Sequence, residues 1–218
     1  NDSDDIIDHN GHGTHVSGTI AAALDGQGVA GVAPKARLYA VKVLDANGSG
    51  GLFGIIKGLV WCGRNHMQAA NMSLGAPIGT IFMRLAVKYA RSKGVVIVAA
   101  AGNNGRSVGY PAGYADTIAV SASDSGDRIA SFSSRGPRVE FIAPGVQVKS
   151  SIPGGRYDYY NGTSMATPHV TGLAALAIAR GAGGLDEVRA ALRRAATSIG
   201  LKPAEQGAGM IDAALLAR

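Results

Sequence analysis

"VVIVAA", residues 95–100, holds no polar side chain, so neither face of this run can be turned to water. Six residues suit a strand, and the β-branched content favours one. A strand that is apolar on both faces needs cover on both, as in a parallel sheet with helices above and below it. Just before it, "TIFMRLAVKYARSKG" (80–94) repeats apolar residues at i, i+3 and i+4 and closes on Gly94, a helix stop. Farther upstream "LFGIIKGLVWCGRNHM" (52–67) has the same period, while "ARLYAVKVL" (36–44), "AANMSL" (69–74) and, downstream, "TIAVSA" (117–122) read as strands. The order β-α-β-α-β predicts an α/β fold: a doubly wound, mostly parallel sheet with right-handed crossovers and helices on both faces. The Gly/Ser/Pro-rich stretch 102–162 is expected to hold loops and short antiparallel strands. Helices are expected at "TSMATPHVTGLAALAIAR" (163–180), at "LDEVRAALRRAAT" (185–197) and in a short piece from about 211. With no repeat and no low-complexity linker, residues 1–218 are read as one domain.

Composition narrows the function classes. Of 218 residues, 46% are hydrophobic and 17% charged, a globular balance. No apolar run is long enough to span a bilayer, which argues against a membrane partner. The formal charge is +6, but no Lys/Arg block is interleaved with aromatics, which argues against nucleic acid. The densest basic patch, Arg189, Arg193 and Arg194, alternates with Asp186 and Glu187 and reads as a solvated helix face. The single cysteine, Cys62, rules out an internal disulfide framework and reads as a buried, inert thiol.

Two segments carry chemistry. In "NGTSMATPHV" (161–170), Ser164 follows Gly162 and Thr163 at the entry to an apolar helix-period run. Free N–H groups and the positive end of the dipole would lie near its hydroxyl. Taken alone the pattern is a weak signal, since most serines before an apolar helix are simply caps. Pro168 falls near enough to the helix start to be tolerated, or it kinks the helix. In "DHNGHGTHVSGTIAA" (8–22), three histidines sit at spacings of three. Zinc would want a distant ligand and, in a catalytic helix, an intervening Glu; none is present, so a zinc site is disfavoured.

Taken together, "HGTHVSGT", "NMSLG", "AAAGN" and "NGTSMATPHV" occur in the order and approximate spacing of the subtilisin-like serine proteases, and the resemblance covers essentially the whole chain. It implies the three-layer α/β fold of that family and a serine endopeptidase that forms an acyl-enzyme. His12 then resembles the general base and Ser164 the nucleophile. Asn103 resembles the amide that donates to the oxyanion. Gly48, Ser49 and Gly50, with Ser73, Leu74 and Gly75, resemble the two segments between which a peptide lies as an added strand. Ala100, Gly102 and Gly109 resemble the walls and floor of the pocket for the side chain before the scissile bond. Small, uncharged residues there imply a preference for large apolar side chains. The loop "ALDGQGVAG" (23–31) resembles a calcium site formed by the Asp25 carboxylate and the carbonyls of Ala23, Gln27 and Val29, about half of the six to eight oxygens calcium takes. Protein or peptide substrates, a prodomain as partner, and secretion follow from the resemblance alone.

One element of the family pattern is absent. None of the aspartates before His12 sits in the family's apolar strand with its D-[ST]-G. Asp2, Asp4, Asp5 and Asp8 precede His12, and of these Asp8 resembles a supporting carboxylate. The expectation is therefore a chain lacking an N-terminal segment, and nearly inactive alone, since loss of that aspartate in subtilisin itself costs about 3 × 10⁴ in turnover. The alternative is a peptidase-fold protein that binds peptides or a prodomain without cutting.

Overall fold

The computed structural model describes residues 6–216. Its centre is the apolar stretch 95–100. Strand β2 (Val96–Ala100) lies between β1 (Ala69–Met72) and β3 (Ile118–Ser123), parallel to both, and every residue of it is buried. Val96 and Val98 face one core and Ile97 and Ala99 the other, the alternation a strand imposes on its side chains. Helices α2 (Leu52–Arg64) and α3 (Ile81–Ser92) cover the second face through Leu59, Met83, Ala86, Val87 and Ala90. On the first face, α4 (Thr163–Ala179) and α5 (Gly184–Arg194) supply Val170, Leu173, Val188 and Leu192. The sheet continues through β4 (Val139–Pro144) and β8 (Met210–Ile211), both parallel, to β7 (Ala196–Thr197), which is antiparallel. Short helices α6 (Pro203–Gln206) and α7 (Ala213–Leu216) complete the carboxyl end, and β5 (Val148–Ile152) with β6 (Arg156–Tyr160) forms a separate antiparallel ribbon. The expected α/β architecture, a mostly parallel sheet between helical layers, is the one observed.

Local signals explain several boundaries. The Thr80 hydroxyl accepts the Met83 N–H at the start of α3, and Gly94 takes a left-handed φ of 87° just past its end. Helix α4 is apolar nearly all round because it is buried between the sheet, α1 (His12–Ala21) and α5, so its pattern carries little amphipathic signal.

Three expectations need correction. Residues 36–43 run without turn or bend but join no ladder; among the described residues no strand lies beside them. Their inner face is used nonetheless: Val41 and Val43 press on Gly58 of α2, while Leu38 and Tyr39 are about half exposed. Within 102–162, β4 is a parallel central strand rather than loop. Its register with β3 skips Glu140, which turns aside to grip Arg189 with two contacts of 2.7 and 2.8 Å. Arg189 is accordingly not part of a solvated face. It is largely buried and also donates to the carbonyls of Ala115 and Thr117, whereas Arg193 remains exposed. The Cys62 thiol is half-buried, and burial pushes its pKa up, as for an unreactive thiol.

Helix α1 (His12–Ala21) starts from Gly11, held at φ 93°, without a capping side chain of its own. Asp8 does that work from three residues upstream. Its Oδ1 accepts the N–H groups of Asn10 and Gly11 and its Oδ2 the N–H and hydroxyl of Thr14, at 2.7–3.0 Å. Burial opposes ionisation of this carboxyl, but the hydrogen bonds from Thr14, Gly11 and Asn10 prevail and hold its pKa at about 2. A depressed pKa means stability that is complete above the unfolded value and is lost as pH falls toward the folded one. Asp8→Ala should cost about 1–2 kcal/mol at pH 7 in denaturant melts, and the gap to the parent should close between roughly pH 4 and pH 2. A gap that stays constant over that range would show that the charge is not what caps the helix.

Candidate active site

The site is assembled at the carboxyl ends of the parallel strands, where loops leave the sheet. β2 ends at Ala100 and delivers Gly102 and Asn103 to the start of α4. There the Asn103 Oδ1 accepts both the Thr163 N–H (2.8 Å) and the Thr163 hydroxyl (2.9 Å). An N–H can only meet the oxygen of the amide, so Nδ2 must point the other way. It points over Gly162: a Cβ on Gly162 would lie 3.5 Å from Asn103 Nδ2 and 3.6 Å from the Ser164 N. Two N–H donors thus flank one small space, beside the residue that carries the hydroxyl. Gly162 keeps that space open and holds φ 150°, which a side chain would strain.

The Ser164 hydroxyl itself donates to the Ser73 carbonyl at 3.2 Å, and the Ser73 hydroxyl donates to the Ser164 carbonyl at 2.7 Å. These reciprocal bonds join the end of β1 to the first turn of α4. Gly75 lies against the Tyr110 carbonyl, next to the pair of backbone bonds between Ala76 and Tyr110. Gly109 donates to Ala101 at 2.9 Å and is pressed on the Ala76 carbonyl, and Ala100 is buried under them. Ser73 is thus bonded to Ser164 and Gly102 to its neighbour Thr163, while Gly75 and Gly109 are joined to each other's surroundings through the Ala76–Tyr110 and Ala101–Gly109 backbone bonds. Leu74 packs into the α2–α3 core instead, leaving only its backbone to the site.

His12 opens α1, whose Val16 packs on Met165, the neighbour of Ser164. The turn with Gly48, Ser49 and Gly50 closes on the same side, because Asn10 Nδ2 donates to the Ala46 carbonyl at 2.9 Å. Burial lowers the His12 pKa; the Asp8 charge opposes that shift and His15 adds to it, so the imidazole is neutral near pH 7. Among the described residues the His12 ring makes no hydrogen bond, and Asp8 is spent on capping. Asp2, Asp4 and Asp5 lie outside the described residues. His15 is fully buried, stacked on Tyr160 at 4.3 Å with Nε2 3.0 Å from the Val148 carbonyl. No group of three metal-ligating His, Cys, Asp or Glu side chains occurs among the described residues.

In the loop 23–31, Asp25 is exposed and one of its oxygens accepts the Gln27 N–H. The donor set of Ala23, Asp25, Gln27 and Val29 is all oxygen, which fits a hard cation, with one carboxylate and the rest of the shell to come from elsewhere. Gly28 is wedged under the Tyr157 ring of the ribbon and cannot carry a side chain.

Sequence reading missed Thr163 as the clamp on Asn103, and Asn71 and Thr171 behind Ser73. Gly162, directly before the Thr-Ser pair, was the available clue to the first.

The subtilase family (Peptidase_S8) matches residues 1–210. The chain is 50% identical to Subtilisin Savinase of Lederbergia lenta over 208 residues, 94% of this chain and 77% of that protein. It is equally similar to an alkaline protease of Alkalihalobacillus alcalophilus, of which it spans 54%, and 54% identical over 178 residues to Subtilisin E of Bacillus subtilis (strain 168), of which it spans 47%. It thus spans about half the length of several of the relatives it matches. With the donors over Gly162, the Ser73–Ser164 pairing and a match across nearly all of its length, this chain belongs to the subtilase family.

Proposed function

We propose that the chain is a serine endopeptidase working through an acyl-enzyme. The observation that carries this reading is the convergence of Asn103 Nδ2 and the Ser164 N–H on the space over Gly162. Donors fixed before reaction are what a developing oxyanion needs. In this reading the Ser164 oxygen bonds to the scissile carbonyl carbon while its proton passes to His12. The carbonyl oxygen, now negative, accepts from Asn103 and the Ser164 N–H. Collapse breaks the C–N bond, and His12 returns the proton to the leaving amine. Water then attacks the ester by the same route in reverse roles. The peptide lies along 48–50 and 73–75, and small residues at 100, 102 and 109 leave room for a large apolar side chain before the scissile bond.

Family membership supports protein or peptide substrates, and it alone supports secretion and a prodomain partner. No helix of the described residues is long and apolar enough to cross a membrane. A structural calcium ion held in part by Asp25 and the carbonyls of Ala23, Gln27 and Val29 belongs to the same proposal; it would neutralise the carboxylate and stiffen the loop. A second reading, peptide binding without cleavage, is favoured by one observation: His12 has no orienting carboxylate among the described residues.

Fluorophosphonate labelling of the full-length protein, with a panel of chromogenic peptides, separates the two readings. Endopeptidase function predicts labelling that Ser164→Ala abolishes, and faster cleavage after Phe or Leu than after Lys or Glu. Asn103→Ala should lower turnover roughly 100- to 1,000-fold, the magnitude known for this amide in subtilisin itself. Peptide binding with neither labelling nor cleavage would establish the second reading.

The pH profile tests His12 separately. With its pKa lowered by burial, the acid limb of kcat/KM should have its midpoint below pH 6.5, since the base stays unprotonated further into acid. A midpoint above 6.5 would mean that burial does not set the His12 pKa in the active protein, since an orienting carboxylate from outside the described residues would raise it.

Millimolar calcium should raise the melting temperature by a few degrees, on the order of 1–3 kcal/mol of linkage. Asp25→Ala should remove that rise. An equal rise in the variant would place the ion elsewhere.

A further inference from the structure

Helix α4 contains Pro168, five residues after its first. The α-helical donor to the Ser164 carbonyl would be the N–H of residue 168, and proline has none. The carbonyl of the nucleophile's own residue is therefore released from the helix ladder, and a buried carbonyl left unpaired is costly. What takes it is the Ser73 hydroxyl, at 2.7 Å from the end of β1.

The direction of the bonds behind Ser73 follows from that one. A carbonyl only accepts, so the Ser73 hydroxyl spends its proton on Ser164 and must accept from its other neighbour. That neighbour is Asn71, whose Nδ2 lies 2.9 Å away. The Asn71 amide is thereby oriented with Oδ1 turned toward the Thr171 hydroxyl, 2.8 Å away, which must donate. Thr171 also has the Thr167 carbonyl within 3.1 Å, an alternative acceptor one turn back on α4. Only donation to Asn71 satisfies the half-buried amide oxygen. Thr171 and Ser73 are themselves buried, so water does not readily replace a missing link.

We propose that Pro168, Thr171 and Asn71 form a positioning relay that sets the main chain of Ser164 through the Ser73 hydroxyl. The inference rests on the reading of Ser164 as nucleophile. The residue being held carries both the attacking Oγ and one oxyanion N–H, so a tilt of its backbone displaces both. Thr171 controls the direction of the relay. Without its hydroxyl the Asn71 amide loses its partner and is free to reverse. A reversed amide offers Oδ1 to Ser73, drawing the Ser73 proton away from the Ser164 carbonyl. Thr171 touches neither substrate nor reacting atoms; it acts through Asn71 and Ser73.

The test uses the full-length protein. Thr171→Val preserves shape and removes the hydroxyl. It should lower kcat roughly 5- to 20-fold with KM changed less than about twofold, since geometry at the reacting centre is lost while the substrate strands stay in place. Thr171→Ser should restore kcat to within about twofold. A kcat unchanged in Thr171→Val, or one equally impaired in Thr171→Ser, would overturn the relay. A thermal-melt cycle reads the same bond without activity. Ser73→Ala should lower the melting temperature by roughly 3–8 °C, the cost of leaving buried polar groups unpaired. In the Pro168→Ala background, where residue 168 has an N–H to give to the Ser164 carbonyl, that drop should fall to less than half. An undiminished drop would overturn the proposal. Should the parent protein neither cleave nor be labelled at Ser164, the nucleophile reading fails, while the melting cycle still decides the relay.

Discussion

Two hydrogen bonds from Thr163 to the Asn103 side chain join the central strand to the longest helix, and the chemistry of this molecule hangs on that joint. They fix which end of the amide faces Gly162 and set the first turn of α4 against the end of β2. Remove them and the strand still packs, because Val96, Val98, Ile97 and Ala99 are held by their two cores. What goes is the alignment of two donors in one small space. Stability thus resides in apolar layers that tolerate repacking, whereas alignment resides in a few polar contacts that do not.

How much of this was legible beforehand depended on whether the signal was local. β2 announced itself because a strand covered on both faces must be apolar throughout. α3 announced its end through Gly94, while its Thr80 cap came from the structure. β4 did not: its apolar core, Phe141 to Ala143, is three residues long and is bracketed by Glu140 and Pro144, so it resembles the loops around it. Arg189, with Arg193 from the same distant helix 3.5 Å away, explains why a carboxylate can stand there. Residues 36–43 erred the other way, since composition suits a strand but a strand also needs a neighbour to pair with.

The site divides along the same line. His12, Ser164 and Asn103 were named through matched blocks of a known family, whereas residue types alone favoured a helix-capping serine at 164. Geometry supplied what matching could not: the role of Gly162 as an absence of side chain, the commitment of Asp8 to the start of α1, and the contacts behind Ser73. Asn71 and Thr171 are a hundred residues apart and ordinary in type, so no pattern in the chain points from one to the other.

Helix α1 has an uneven foundation. One side rests on α4, but the other rests on the β5–β6 ribbon, through His15 stacked on Tyr160 and bonded to Val148. That ribbon is no part of the main sheet, and β6 is exposed along most of its length. Small units with few buried contacts open at lower free energy than the core they adjoin. Mild heat or denaturant would then disturb the footing of His12 while the six-stranded sheet remains intact. Loss of function and loss of fold are, by this construction, separate events with separate thresholds.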